Sequence, residues 1–323
     1  MTHASETGGA TTRRGQEHFV APVDETPLQA VDALNTDVKP RSLWSQAWRD
    51  LRRNPMFIVS AVLIAVVVTV AAFPQLFSSL DPYAQGACRL TNSYGDPIPG
   101  HPFGFDQQGC DVYSRVIYGA RPSVIVGVVT TLGVFLLGGV IGALAGWFGG
   151  WIDAILSRLT DVFFAIPLIL AAIVVGQLFE LNALTLAMIL ILFGWTAIAR
   201  IARGSVMSVM NSEFITASKA LGASSSQNLF RHVVPNAVAP VIVTAMVNLG
   251  MYIVLEATLS FLGVGLPEST ISWGADISNA QTGLYTRPEL LFYPSGALAI
   301  TILSFIMLGD AVRDALDPKT KKR

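Results

Sequence analysis

Six apolar stretches of about twenty residues or more divide the chain, at roughly 56–77, 123–146, 154–178, 183–202, 236–262 and 290–309. At about 1.5 Å per helical residue, each can cross a hydrocarbon layer of about 30 Å. The pattern predicts an all-α polytopic membrane protein with six transmembrane helices in a domain over 55–315. Ahead of the first span, Trp44, Trp48 and Leu51 recur at i, i+4 and i+7, while Arg49, Arg52 and Arg53 fall elsewhere. This predicts an amphipathic helix over 42–54 in the membrane interface, with tryptophans on one side and arginines on the other. Residues 1–41 hold no apolar run and no secretory signal, and read as a disordered tail. A short polar tail over 316–323 follows the last span.

Composition narrows the class. Of the 323 residues, 52% are hydrophobic and only 13% charged, about half the charge of an average soluble domain. No soluble core could hide that much apolar surface. The net charge of −1 gives no footing for nucleic acid; the lipid bilayer is the expected surroundings. Of the 21 Lys and Arg residues, only Arg89, Arg115, Arg121 and Arg287 fall outside when the N-terminus is placed inside. The positive-inside rule therefore puts both termini in the cytoplasm. Neither a CxxC nor an HExxH spacing occurs, and no GxxxxGK[ST] loop is present to hold a nucleotide.

Within the spans, Gly138, Gly142 and Gly146 form two successive GxxxG pairs, a signal for close helix packing. Pro167 and Pro240 are expected to kink their helices. Cys88 and Cys110 lie 22 residues apart in the first outer loop, where two thiols commonly pair. Such a bond is worth about 3 kcal/mol in the entropy model and would brace that loop. Glu256 stands near the outer mouth of the fifth span. It has two readings: a contact for a peptide amino group along the pathway, or a structural carboxylate bonded to a neighbouring helix or loop. Arg158 and Asp161, at i and i+3, predict a local ion pair.

The connection over about 203–235 is long, polar and cytoplasmic. Its stretch Ser212–Leu221 has helical character, with Phe214, Ala217, Ala220 and Leu221 on one face and small residues crowding its middle. It is too polar for lipid and too small for a domain, so a docking element is the economical reading. Glu213, Ala217, Ser218, Ala220, Leu221 and Gly222 are its candidate residues. Thr216-Ala217-Ser218, Gly222, His232, Val234 and Pro235 stand at the spacing of a cytoplasmic motif of ABC-transporter permeases. That motif reads EAA, three residues, Gly, nine residues, then I-x-L-P. The small-residue core is kept, while Thr216, Ser218 and His232 replace the usual Glu, Ala and Ile.

The resemblance runs further. HPFGFDQQGCDVYSRVIYGAR (101–121), GALAGWFGGWID (142–153), RLTDVFFAIP (158–167), LEATLSFLGVG (255–265), ISWGADI (271–277) and LGDAVRDALDP (308–318) are similar, in order, to the C-type permease subunit of oligopeptide and dipeptide importers. That likeness implies a non-catalytic subunit with the type I importer permease fold, in a bacterial cell membrane. It further implies a second, B-type permease, two ATPase subunits or one fused ATPase that bind ATP and Mg, and an extracytoplasmic peptide-binding protein. The segment around 213–225 would then be the coupling helix. Permeases for nickel or another small solute are the near alternative. An ion-coupled secondary transporter is the rival from another class, but it would leave the 203–235 loop unexplained.

Overall fold

The computed structural model describes residues 43–267 and 269–316. The tail expected over 1–41 lies outside them, as do the side chain of Trp44 and the residues after Leu316. The described chain runs α1 (Leu43–Leu51), α2 (Pro55–Ala72), α3 (Val112–Phe148), α4 (Gly150–Phe164), α5 (Leu168–Gly176), α6 (Ala183–Gly194), α7 (Thr196–Met210), α8 (Glu213–Ala220), α9 (Ser225–Asn228), α10 (Val234–Phe261), α11 (Trp273–Ala280) and α12 (Glu289–Leu316). Four stretches are each long and apolar enough to cross a membrane: α2, α3, α12 and the stretch that ends in α10. The pairs α4–α5 and α6–α7 pass the same test only together and are bent at a short break, so the candidate crossings number four, or six when each bent pair counts as one span. Together they make a multi-pass membrane protein.

Both broken spans have local causes. Between α4 and α5 the axis turns by 76°, where Pro167 caps α5 and can donate no hydrogen bond. The 48° turn between α6 and α7 was not expected, since no proline lies there. It falls at Gly194–Trp195, where the Tyr252 hydroxyl donates to the Gly194 carbonyl at 3.4 Å. Pro240, by contrast, does not interrupt α10. Instead a π-helical turn over Leu229–Val233 leads into that helix.

The long helix α3 is the spine of the bundle, packing along α7, α10, α6 and α2. It begins well before the span expected from hydropathy because Asp111 caps it, its Oδ2 accepting from the Ser114 amide at 2.7 Å. The predicted glycine stripe faces α7: Gly138 lies against Trp195 and Ile198, Gly142 against Ala199 and Ala202, and Gly146 against Arg203 and Val206. The two backbones approach where any larger residue would hold them apart.

At the periphery, α2 exposes Ile58, Val59, Val62, Val66 and Val68 and carries no charge, a face suited to hydrocarbon. The helix α1 buries Ala47, and its Leu51 joins a cluster with Ala311 and Val312 of α12. Its sides are not divided as the sequence suggested. The Arg52 guanidinium lies 4.7 Å above the Trp48 ring, a cation–π contact that sets charge and aromatic together.

Candidate functional site

The segment between α7 and α10 forms the short helix α8, nearly as predicted. Asn211 ends α7, and Ser212 in extended backbone starts α8. The helix stops in a Schellman arrangement. The Gly222 amide donates to the Lys219 carbonyl at 3.0 Å, and the Ala223 amide to the Ser218 carbonyl at 3.1 Å. Gly222 adopts φ +84°, a backbone conformation that glycine takes without steric cost. Its role is therefore to end the helix sharply, which goes beyond the small size that drew notice in the sequence.

One side chain ties α8 to the bundle. Ile215 is fully buried with Val206, Val233 and Ala237. Behind it, the Ser218 hydroxyl donates to Asn228 Oδ1 at 2.7 Å, and Asn228 Nδ2 donates to the Ala223 carbonyl at 3.4 Å. Neither Ile215 nor Asn228 was singled out from sequence; an isolated Ile at the start of a polar helix was the available signal. Glu213, Phe214, Ala217, Ala220, Leu221 and Gly222 are exposed, with Leu221 at 88%, and Ser218 is half-buried. The result is a short helix anchored at its back, with Phe214, Ala217, Ala220 and Leu221 exposed alongside the polar Glu213, Thr216 and Lys219.

The other end of the bundle carries a lobe made from 73–111 and the segment around α11. Cys88 and Cys110 are joined by a disulfide. Beside it the Arg89 amide donates to the Gly109 carbonyl at 3.2 Å, and His101 Nδ1 meets Asp111 Oδ1 at 2.9 Å. Several long-range ties fasten the lobe. Arg287 donates to the Tyr94 carbonyl at 2.9 Å. The Ile271 amide donates to the Tyr83 hydroxyl at 3.2 Å. The rings of Phe103 and Tyr293 stack with centroids 4.0 Å apart. Beneath these ties Arg115 donates through Nε to Asp276 Oδ1 at 2.9 Å and lies 3.6 Å from Asp106. Burial pushes both carboxyls above their ordinary range, although Arg115 pulls each of them down.

Glu256 does not face any open space in this conformation. It is 0% exposed; Oε1 accepts from the Ser260 hydroxyl at 2.9 Å, and the hydroxyls of Ser123 and Ser272 lie beside the carboxyl. The Ser260 bond lies within α10, while Ser123 belongs to α3 and Ser272 caps α11. The pair expected between Arg158 and Asp161 is long, at 3.9 Å, and Asp161 pairs more closely with Arg200 at 2.9 Å. The distant partner could not be read from local spacing.

Comparison with known proteins falls in line with this geometry. Residues 138–322 match the family model described as the binding-protein-dependent transport system inner membrane component. Residues 42–92 match the N-terminal TM domain of oligopeptide transport permease C. The chain is 36% identical to the oligopeptide transport system permease protein OppC of Bacillus subtilis, with 91% of this chain and 95% of the relative covered. It is 34% identical to the dipeptide transport system permease protein DppC of Alkalihalophilus pseudofirmus, over 87% of this chain and 91% of that one. To the glutathione transport system permease protein GsiD of Pectobacterium atrosepticum it is 32% identical, over 88% and 94%.

Proposed function

Since this chain belongs to the family of binding-protein-dependent transport permeases, we propose that it forms half of the translocation pathway of an ABC importer for short peptides. The relatives named for oligopeptide, dipeptide and glutathione transport support that substrate class. The subunit is a transport permease, and the reading assigns ATP and Mg to partner ATPases and the pathway's other half to a second, B-type permease.

The observation that carries the mechanism is α8. It stands out from the bundle with Phe214, Ala217, Ala220 and Leu221 exposed, while Ile215 anchors it to α7 and α10. A short capped helix held at its back, with apolar side chains exposed at its front, suits a cleft on an ATPase. Closure of the ATPase pair on ATP would push it and bias the spans between inward- and outward-open forms. The reading assigns α8 and both termini to the cytoplasm, a side the Lys and Arg distribution supports. The braced lobe then faces outward, as the landing surface for a peptide-binding protein.

The test is to tag the C-terminus, purify the protein gently from its native membrane and identify stoichiometric partners by mass spectrometry. Recovery of a second six-span permease, ATPases and a peptide-binding protein, together with ATP-dependent peptide uptake by the reconstituted assembly, is the expected result. A homo-oligomer without ATPase would overturn the reading, and an assembly that moves no peptide would overturn the substrate class alone.

A further inference from the structure

A polar groove of about 420 Å³ opens between α3, α4 and α7. Gly142 and Ala145 form its floor, Ser157, Thr160 and Asp161 one wall, and Arg200 and Arg203 the other. Its charges lie within helices that cross the membrane. Arg200 is seventeen residues from the start of α6, about 25 Å along the bent pair, which sets the groove toward the inner end of the crossing, two residues before the end of the span expected over 183–202. Exposed charge at that depth belongs in water or against protein, and not in lipid. The bare apolar face of α2 has the opposite character.

The charges are unequal. Asp153 takes Arg203 in a two-pronged pair, with Nη2 to Oδ2 at 2.7 Å. Asp161 is left to serve both Arg158 and Arg200. Three guanidinium groups thus share two carboxylates, one positive charge in excess. Arg200 is the adaptable member, 44% exposed, with its guanidinium 3.8 Å above the Phe164 ring. That ring holds the plane of the fork while leaving its edge free for a carboxylate.

We propose that this groove is a water-filled vestibule of the translocation path, in which Arg200 receives the terminal carboxylate of a passing peptide in exchange for Asp161. A solvent-exposed ion pair contributes little net stability, so one carboxylate replaces the other at small cost. The contact is weak enough to release its cargo, as a conduction path requires. The proposal rests on the peptide reading above and adds a residue and a chemical group to it.

Two measurements on the assembled transporter decide it. In the first, a Ser157→Cys protein in inside-out vesicles is treated with a charged, membrane-impermeant thiol reagent; the native cysteines are already paired. Labelling is expected, and it should be slowed by a peptide with a free C-terminus more than by its C-terminal amide. No labelling would show the groove sealed by lipid or by the second permease, and would overturn the vestibule. In the second, Arg200→Gln should lower uptake of the free-acid peptide about tenfold, the scale of one charge-assisted hydrogen bond. Uptake of the amide should change little, and Arg200→Lys should restore most of the loss. Equal losses for acid and amide would give Arg200 a structural role and defeat the carboxylate assignment. A wild-type assembly that carries neither peptide would overturn the peptide reading and the carboxylate role with it, while labelling at position 157 would still decide whether the groove holds water.

Discussion

Gly142 faces the carbonyl oxygen of Ala199 so closely that a Cβ on the glycine would overlap it. Gly139, on the same helix, has nothing within 4 Å of that position. The contrast predicts that Gly142→Ala destabilises the protein by about 2 kcal/mol, as overpacking does. Gly139→Ala should stay within about 0.5 kcal/mol. Thermal unfolding in detergent, followed by size-exclusion profile, compares the two. Equal behaviour would show that α3 and α7 can move apart freely.

The end of α8 offers a second test. Gly222 sits at φ +84° with open space around it, so a side chain there meets conformational strain and no collision. Gly222→Val should loosen the helix end and reduce ATPase co-purification. Gly222→Asn, better suited to the left-handed region, should lose less. A valine protein that binds its ATPase normally would remove the Schellman turn from the coupling argument.

Leu221 separates docking from folding. It is nearly fully exposed, so Leu221→Glu should leave permease yield and melting unchanged. The proposed role predicts that coupled ATP hydrolysis and uptake fall about tenfold or more, the scale of an interface anchor. Normal transport by that variant would mean the exposed face of α8 is not the contact.

The lobe around Arg115 should respond to pH. The Asp106 and Asp276 carboxyls are both raised in the folded protein, with burial the largest cause. A carboxyl raised on folding adds stability while it is protonated and loses it as pH climbs through the folded value. Resistance of the 73–111 segment to proteolysis is therefore expected to be higher in mild acid than at neutral pH, and Asp276→Asn should flatten the profile. Resistance that rises with pH would show that the pairing with Arg115 outweighs burial.

Much of this architecture was legible in one dimension. Hydropathy marked six crossings, Pro167 marked a break, and the glycine spacing marked the face of α3 that meets α7. The existence of the short helix α8 was legible in the polar connection between the spans. What escaped was whatever depended on partners far along the chain. Asp276 lies 161 residues from Arg115, and Asp153 50 residues from Arg203, so neither pair leaves a local spacing to read. The bend at Trp195 was equally hidden, because it has no proline and arises in packing. Ile215 looked unremarkable because its meaning lies in the pocket that receives it, built from α7, α10 and the π-helical turn.

The two broken crossings also define how force would travel. Beyond their breaks, α4 and α7 are held together by Arg203 on Asp153, with Phe163 against Trp195 at 5.6 Å between ring centres and the looser, exposed Arg200–Asp161 pair beside them. Only Asn211 and Ser212 separate α7 from α8. A thrust on α8 is thus delivered to a paired strut about 22 Å long, rather than to one helix that could buckle. The bends at Pro167 and Gly194 are its fulcrums, and α5 and α6 lie beyond them. Under the proposed coupling the stroke would be geared at those two elbows, and stiffening either elbow would shorten it without touching the piece that is pushed.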